Sequence, residues 1–218
     1  MDNMLETSVE IYYKRLQNVI DFKDNALTYG NLLIDGELRC GKGRSYGIEL
    51  LLRKNTGHLT GWISYTYAKT LRTIDGINFG KEYCSPYDRP HNFVLVVNYD
   101  INRRLSVAVN WIYNTGQPVS FPYGQYTIGG VTYAIYNGSR NESRYPAYHR
   151  MDMSLTWKLG SHEWKKWESE LNVSVYNVYA HHNTWAVTFS QAEDGIGIKT
   201  EKMYLFSTVP SISYNIKF

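Results

Sequence analysis

The sequence predicts an all-β fold: an antiparallel transmembrane β-barrel portion of about eight meandering strands. Three observations carry this expectation. Residues 210–218 alternate strictly, with Ile212, Tyr214, Ile216 and Phe218 on one side and Ser211, Ser213, Asn215 and Lys217 on the other. Seven earlier segments repeat the pattern. The connections between segments alternate between short and long. Successive side chains of a strand point to opposite faces, so each segment presents one apolar and one polar face. Lipid offers no water to unpaired backbone groups, so only helices and closed sheets span it, and a barrel turns its apolar face outward.

In chain order, the first segment places Val9, Ile11 and Tyr13 on one face. The second sets Tyr46, Ile48, Leu50 and Leu52 against Gly47, Glu49, Leu51 and Arg53. The third holds Ile63, Tyr65 and Tyr67, and the fourth Phe93, Leu95, Val97 and Tyr99. Phe93 to Val97 are apolar on both faces, so periodicity alone leaves that segment ambiguous. The fifth sets Leu105, Val107, Val109, Trp111 and Tyr113 against Ser106, Ala108, Asn110, Ile112 and Asn114. The sixth sets Met151, Met153, Leu155, Trp157 and Leu159 against Asp152, Ser154, Thr156 and Lys158. The seventh sets Leu171, Val173 and Val175 against Asn172, Ser174 and Tyr176, and the eighth is the terminal segment. Each is close to the ~9–11 residues that a tilted strand needs to cross the hydrocarbon.

Asn55-Thr56-Gly57, the stretch 100–103 and the polar link 160–166 are short. The stretches 16–42, 72–90, 115–148 and 179–201 are long. Strict alternation is the asymmetry of an outer-membrane barrel, with short periplasmic turns and long extracellular loops. On that reading the first strand runs outward and the eighth ends at the periplasmic face.

Twenty Tyr and six Trp suit the two membrane–water interfaces, although aromatic residues are also good strand formers. Mean hydropathy of −0.42 argues against helical membrane spans, as does the lack of any apolar run near the ~18 residues one requires, and a half-polar barrel keeps its average low. The net charge of +3 is scattered, and no basic stripe points to nucleic acid. Cys40 and Cys84 fall in expected external loops, and free thiols are favoured over a disulfide. Residues 1–20 carry Asp2, Glu6, Glu10, Lys14 and Arg15 without the pattern of a secretory signal. The expectation is a C-terminal piece of a longer polypeptide.

No catalytic constellation emerges, so the chain reads as no enzyme. Gly41-Lys42-Gly43-Arg44 lacks the spacing and hydroxyl of a phosphate loop. Asp88 and His91 lack a nucleophile, and a structural role at a strand start is favoured. His181 and His182, with His149 and His162, show no metal-ligand spacing, so no metal and no cofactor are expected. Glu168 and Glu170 beside Lys165 and Lys166 read as a solvated turn.

The best ligand-contact candidate is the long connection 115–148. Phe121, Tyr123, Tyr126, Tyr133, Tyr136, Tyr145 and Tyr148 interleave there with Asn137, Arg140, Asn141 and Arg144. Flat rings beside amide and guanidinium donors suit sugars, peptides or aromatic chelates, while the same rings also serve to pack a loop. Residues 126–133 read as a hairpin around Gly129-Gly130. Tyr123, Tyr126 and Arg140 are the candidate substrate contacts.

Four stretches carry a family resemblance: Gly41 to Leu50, Lys54 to Trp62, Tyr87-Asp88-Arg89-Pro90-His91-Asn92, and the terminal Pro210 to Phe218. In their order and spacing the chain resembles, over roughly residues 5–218, the C-terminal barrel portion of TonB-dependent outer-membrane receptors. The closest likeness is to the branch with a carboxypeptidase-regulatory-like N-terminal domain. The resemblance implies a barrel of about 22 strands around a plug domain, of which this chain supplies about the last eight. Residues 1–218 then form one domain-scale piece without plug, TonB box or signal peptide. It also implies localisation in the cell outer membrane of a Gram-negative bacterium. The implied partners are outer-membrane lipid, the remainder of the receptor, the TonB complex through the N-terminal part, and the barrel-assembly machinery. Tyr214, Ile216 and Phe218 are the implied assembly signal. The alternative is a stand-alone eight-stranded outer-membrane barrel with a structural or adhesive role.

Overall fold

A computed structural model describes residues 4–28, 30–136, 139–161, 168–192 and 198–217. Eight strands follow one another in a meander: β1 (Leu5–Phe22), β2 (Leu38–Lys54), β3 (Leu59–Thr73), β4 (His91–Asp100), β5 (Leu105–Asn114), β6 (Tyr148–Ser161), β7 (Glu168–Tyr176) and β8 (Val209–Lys217). Each pairs antiparallel with its neighbour in sequence. The two-residue strand Tyr83–Cys84 adds to β3 beyond β4 and makes the sheet nine-stranded. Among the described residues helix is confined to two short 3-10 turns, Ile34–Glu37 and Asn78–Gly80.

Register joins the alternating patterns of single strands into continuous rows. One row runs Leu52, Ile63, Leu95, Trp111, Met151. Another, two rows on, runs Leu59, Tyr99, Val107, Leu155, Val173, Ile212. On the opposite face, Thr60, Asn98, Ala108, Ser154, Ser174 and Ser211 line up, followed by Asp100, Ser106, Thr156, Asn172 and Ser213. A one-residue slip at any ladder would move a whole apolar set to the polar face, so this agreement across six pairings fixes the register. The apolar face lies bare: Ile11 is 77% exposed and Ile212 71%. The buried hydrophobics among the described residues are Ile74, Ile77 and Tyr83, with Val19 packed on them, at the loop end of the sheet.

Where β3 leaves the tight turn, Gly61 has φ +145° and lies opposite Val97. A β-carbon there would stand 2.0 Å from the Val96 carbonyl oxygen. Glycine is what lets β3 and β4 approach at the turn end.

The structure departs from the sequence reading in two ways. Strand β1 runs through Asn18, which adopts φ +57° at a register shift between Leu16 and Val19, so residues 16–22 of the expected loop 16–42 are strand. The bulge absorbs the polar pair Gln17-Asn18 that interrupts the alternation. The long connections carry two further ribbons, Pro118–Val119 with Ser143–Arg144 and Ala186–Gln191 with Ile198–Met203, beside the expected hairpin of Gly124–Ile128 with Val131–Ile135. The sheet is an open barrel portion and not a closed eight-stranded barrel. Among the described residues β1 and β8 each pair on one side only, leaving an open sheet whose two edges need partners in lipid.

Candidate functional site

All the long connections leave from one end of the sheet, and three polar anchors tie them together. The first centres on Asp21, near the end of β1. Its carboxylate accepts from Arg72 Nη1 at 3.2 Å, Arg140 Nη2 at 3.0 Å and the Tyr83 hydroxyl at 2.9 Å. Asp24 accepts from Arg140 Nη1 at 3.4 Å and from the Asn78 amide at 2.8 Å. Asn78 Oδ1 in turn accepts from the Arg140 amide at 2.9 Å. Three connections therefore meet at one ion cluster. Burial, then the hydrogen bond to Asp21, pushes the Tyr83 phenol far above the usual tyrosine range.

The second anchor is Asp88, 1% exposed. It accepts from the Thr70 amide at 2.6 Å, ion-pairs Arg144 closely, and lies 3.7 Å from Lys69 Nζ. Arg144 also donates to the Asp88 and Gly116 carbonyls at 2.7 and 3.1 Å. Asp88 is thus spent on structure, and His91 bonds Tyr65 instead, Nδ1 to hydroxyl at 2.8 Å. The third anchor is amide-based. Asn183 bonds the His149 backbone in both directions at 2.9 Å, while Asn177 Nδ2 donates to the His181 carbonyl at 2.9 Å.

Two clefts open between these anchored segments. One, of about 650 Å³, is walled by Phe121, Tyr123, Tyr145, Val187, Phe189 and Lys202. Phe121 meets Phe189 edge-on, with ring centroids 5.8 Å apart. The other, of about 730 Å³, is framed by Asn114, Tyr148, Tyr176, Asn183, Trp185 and Phe206. Tyr145 and Pro146 border both. Aromatic planes beside amides and a lysine can stack a ring and bond its substituents.

The structure distributes the expected contact residues. Tyr123, 80% exposed, stands at the first cleft. Tyr126 stacks on Tyr133 at 5.3 Å within the hairpin turned by Gly129 and Gly130, both with positive φ. Arg140 sits in the Asp21 anchor and lines a third hollow of about 380 Å³ with Lys23, Asp24, Ser120 and Tyr136. Asn137 lies outside the described residues.

Sequence reading missed Trp185 and Phe189, because 179–201 reads as plain loop, and Lys202 and Phe206, which lie between that loop and the last strand. The alternation of Val187 and Phe189 was the available signal. It also missed Asp21, whereas the structural role it favoured for Asp88 is what the ion cluster shows.

His149 stacks on His181 at 3.7 Å, and His182 stacks on Tyr204 at 4.0 Å. No group of three or more His, Cys, Asp or Glu is placed to hold a metal among the described residues. His162, Lys165 and Lys166 lie outside them. Both cysteines are free thiols. Of the implied assembly residues, Tyr214 pairs with Leu171 and Ile216 with Ser169, both exposed on the apolar side of β8, while Phe218 lies outside the described residues.

Residues 1–178 match the family described as TonB dependent receptor-like, beta-barrel. Among solved structures the chain is similar to the closed form of the ferric-catecholate import receptor Fiu from Escherichia coli K12. The TM-score is 0.60 at 17% identity, over 99% of this chain and 25% of that one. The chain thus spans about a quarter of that receptor's length, and the likeness is one of fold. No curated protein matches the chain. With the family match covering most of its length, the chain belongs to the TonB-dependent receptor-like β-barrel family, a family of outer-membrane proteins.

Proposed function

We propose that the chain forms barrel wall and extracellular loops of an outer-membrane receptor of a Gram-negative bacterium, one that imports its substrate with energy delivered by the TonB complex. The observation that carries this reading is the set of apolar rows crossing the sheet beneath loops bound to one another at one end. An exposed apolar face on every strand has no use in water, whereas lipid requires it. The remaining barrel strands and a plug domain partner the open edges and the polar face. The N-terminal part contacts TonB, and the branch is the one with a carboxypeptidase-regulatory-like domain. Tyr214, Ile216 and Phe218 form the signal read by the barrel-assembly machinery.

In this reading the ligand meets the aromatic clefts. Tyr123 and Tyr126 offer exposed rings, and Arg140 serves mainly by holding their loop in place.

The test compares growth on single iron and carbon sources with and without the gene, in TonB-competent and TonB-deficient cells, together with membrane fractionation. A source that needs both the gene and TonB identifies the substrate class, and Tyr123→Ala should weaken its uptake. Recovery of the protein in the soluble fraction, with no growth phenotype, would defeat the reading.

A further inference from the structure

On the outward face, three neighbouring strands end in the same order of chemistry. β1 passes from Val9 and Ile11 to Tyr13 and then Arg15; β2, read in reverse, passes from Leu50 and Ile48 to Tyr46, Arg44 and Lys42; β3 passes from Ile63 through Tyr65 and Tyr67 to Lys69. Register sets these side by side. Tyr13 lies opposite Tyr46, which lies opposite Lys69, and Arg15 lies directly opposite Arg44. The two tyrosine rings stack at 6.5 Å, confirming the shared face.

Like charges directly opposite on adjacent strands repel. The Arg15 guanidinium rests 6.0 Å from the Tyr13 ring centroid, and Arg44 Nη2 pairs with Glu82 Oε2 at 2.8 Å. Arg15 and Lys42 are both exposed and have no carboxylate partner among the described residues. The patch of Arg15, Lys42, Arg44 and Glu82 therefore carries excess positive charge. Strands β4 and β5 carry no such cations, ending instead at His91 and Tyr113-Asn114.

Position selects the partner. Arg15 lies four residues beyond Ile11, which is about 13 Å along a strand at ~3.3 Å per residue. At a tilt near 45° that is roughly 9 Å of height. The headgroup layer adds about 5–8 Å on each side of the hydrocarbon, so the guanidinia stand at or just above it. Tyrosines occupy the interface below them, where amphipathic rings belong.

We infer that Arg15 and Arg44, assisted by Lys42, form an outward-facing site for the phosphorylated headgroup of an outer-leaflet lipid. Two planar guanidinium forks on adjacent strands grip one phosphate, which relieves their mutual repulsion. The site rests on the membrane reading above. It faces away from the polar side and the loop clefts, so it serves neither substrate nor plug.

The test uses the receptor that contains this chain, purified from its own outer membrane and returned to neutral phosphatidylcholine vesicles doped with bisphosphorylated lipid A. Dephosphorylated lipid A and inorganic phosphate are the comparison arms. Retained lipid per protein is read by native mass spectrometry. We expect the phosphorylated form to be enriched. The double variant Arg15→Gln/Arg44→Gln should lower enrichment about tenfold or more, since each charge-assisted contact is worth about a factor of ten. The double variant Arg15→Lys/Arg44→Lys should keep most of it.

Equal enrichment in the glutamine variant, equal retention of dephosphorylated lipid, or displacement by millimolar inorganic phosphate would each overturn the site. Unchanged heat-dependent gel mobility shows that the variants are folded. If alkaline carbonate instead strips the unaltered protein from its membrane, the membrane reading itself fails, and that outcome is distinct from a folded membrane protein indifferent to lipid phosphate.

Discussion

Arg140 Nη2 donates to Asp21 Oδ1 at 3.0 Å across 119 positions of sequence, closing the longest connection onto the outer end of the first strand. The pair is partly shielded, with side-chain exposures of 23% and 9%. Arg72 and Tyr83 reach the other carboxylate oxygen, so Asp21 remains partnered when Arg140 is lost. Arg140→Ala should therefore free the loop without collapsing the sheet, costing about 1.5–3 kcal/mol locally. Limited proteolysis is the check: cleavage within 115–148 should quicken severalfold while the eight-strand sheet stays resistant.

Asp88 has no such reserve. It is the common acceptor for Arg144, Lys69 and the Thr70 amide. Asp88→Ala leaves two cations and a backbone donor facing a gap. The cations stay partly wetted, which places the cost at the low end of the ~3–5 kcal/mol seen for broken buried pairs. The temperature at which the heat-modifiable gel band shifts should fall clearly, and more than for Arg140→Ala. An equal or smaller drop would mean that the Asp88 cluster does not carry the loop base.

Strands β2 and β5 to β8 were legible because their alternation is dense and their partners are sequence neighbours, while β4, apolar on both faces, is placed by its neighbours rather than by its period. The extension of β1 past Leu16 was not legible, since a bulge at Asn18 has no periodic signal and acts only through the pairing of Val19 with Gly41. The hairpin at Gly129-Gly130 was readable because its turn chemistry is local. The clefts were not, because they arise where Phe121, Tyr145 and Phe189 meet across three segments distant in sequence. Arg140 reads as a substrate contact from its tyrosine-rich surroundings, and its carboxylate partners, far back in the chain at Asp21 and Asp24, lie beyond any local reading.

Gly61 makes a separate prediction about assembly. Its φ of +145° is strained for any L side chain, and a β-carbon would collide with the Val96 carbonyl. Gly61→Ala must push β3 from β4 at the tight-turn end or flip the local backbone, at a cost of about 1–3 kcal/mol. The expected outcome is a lower yield of membrane-inserted protein, measured as the protease-resistant fraction in outer-membrane preparations. Gly57→Ala, whose β-carbon would meet only the flexible end of Lys54, should have the smaller effect.

Glu37 supplies a pH prediction with a definite sign. Its carboxylate takes the Lys23 ammonium at 3.1 Å and the Leu27 amide at 3.1 Å, clasping the connection between β1 and β2. The Lys23 hydrogen bond is the main reason its pKa lies below the usual glutamate value, with burial opposing and the Leu27 amide assisting. A carboxyl group depressed in the folded state contributes fully above its unfolded value, and that contribution fades as pH falls through the folded value. The clasp should therefore hold at neutral pH and loosen only below the ordinary glutamate range. Hydrogen exchange at the Leu27 amide, followed down the pH scale and corrected for intrinsic rates, should show protection lost in that window. Glu37→Gln should remove the pH dependence. A profile unchanged by that substitution would assign the protection to the backbone bond from Lys23 to the Glu37 carbonyl at 2.8 Å, which does not titrate.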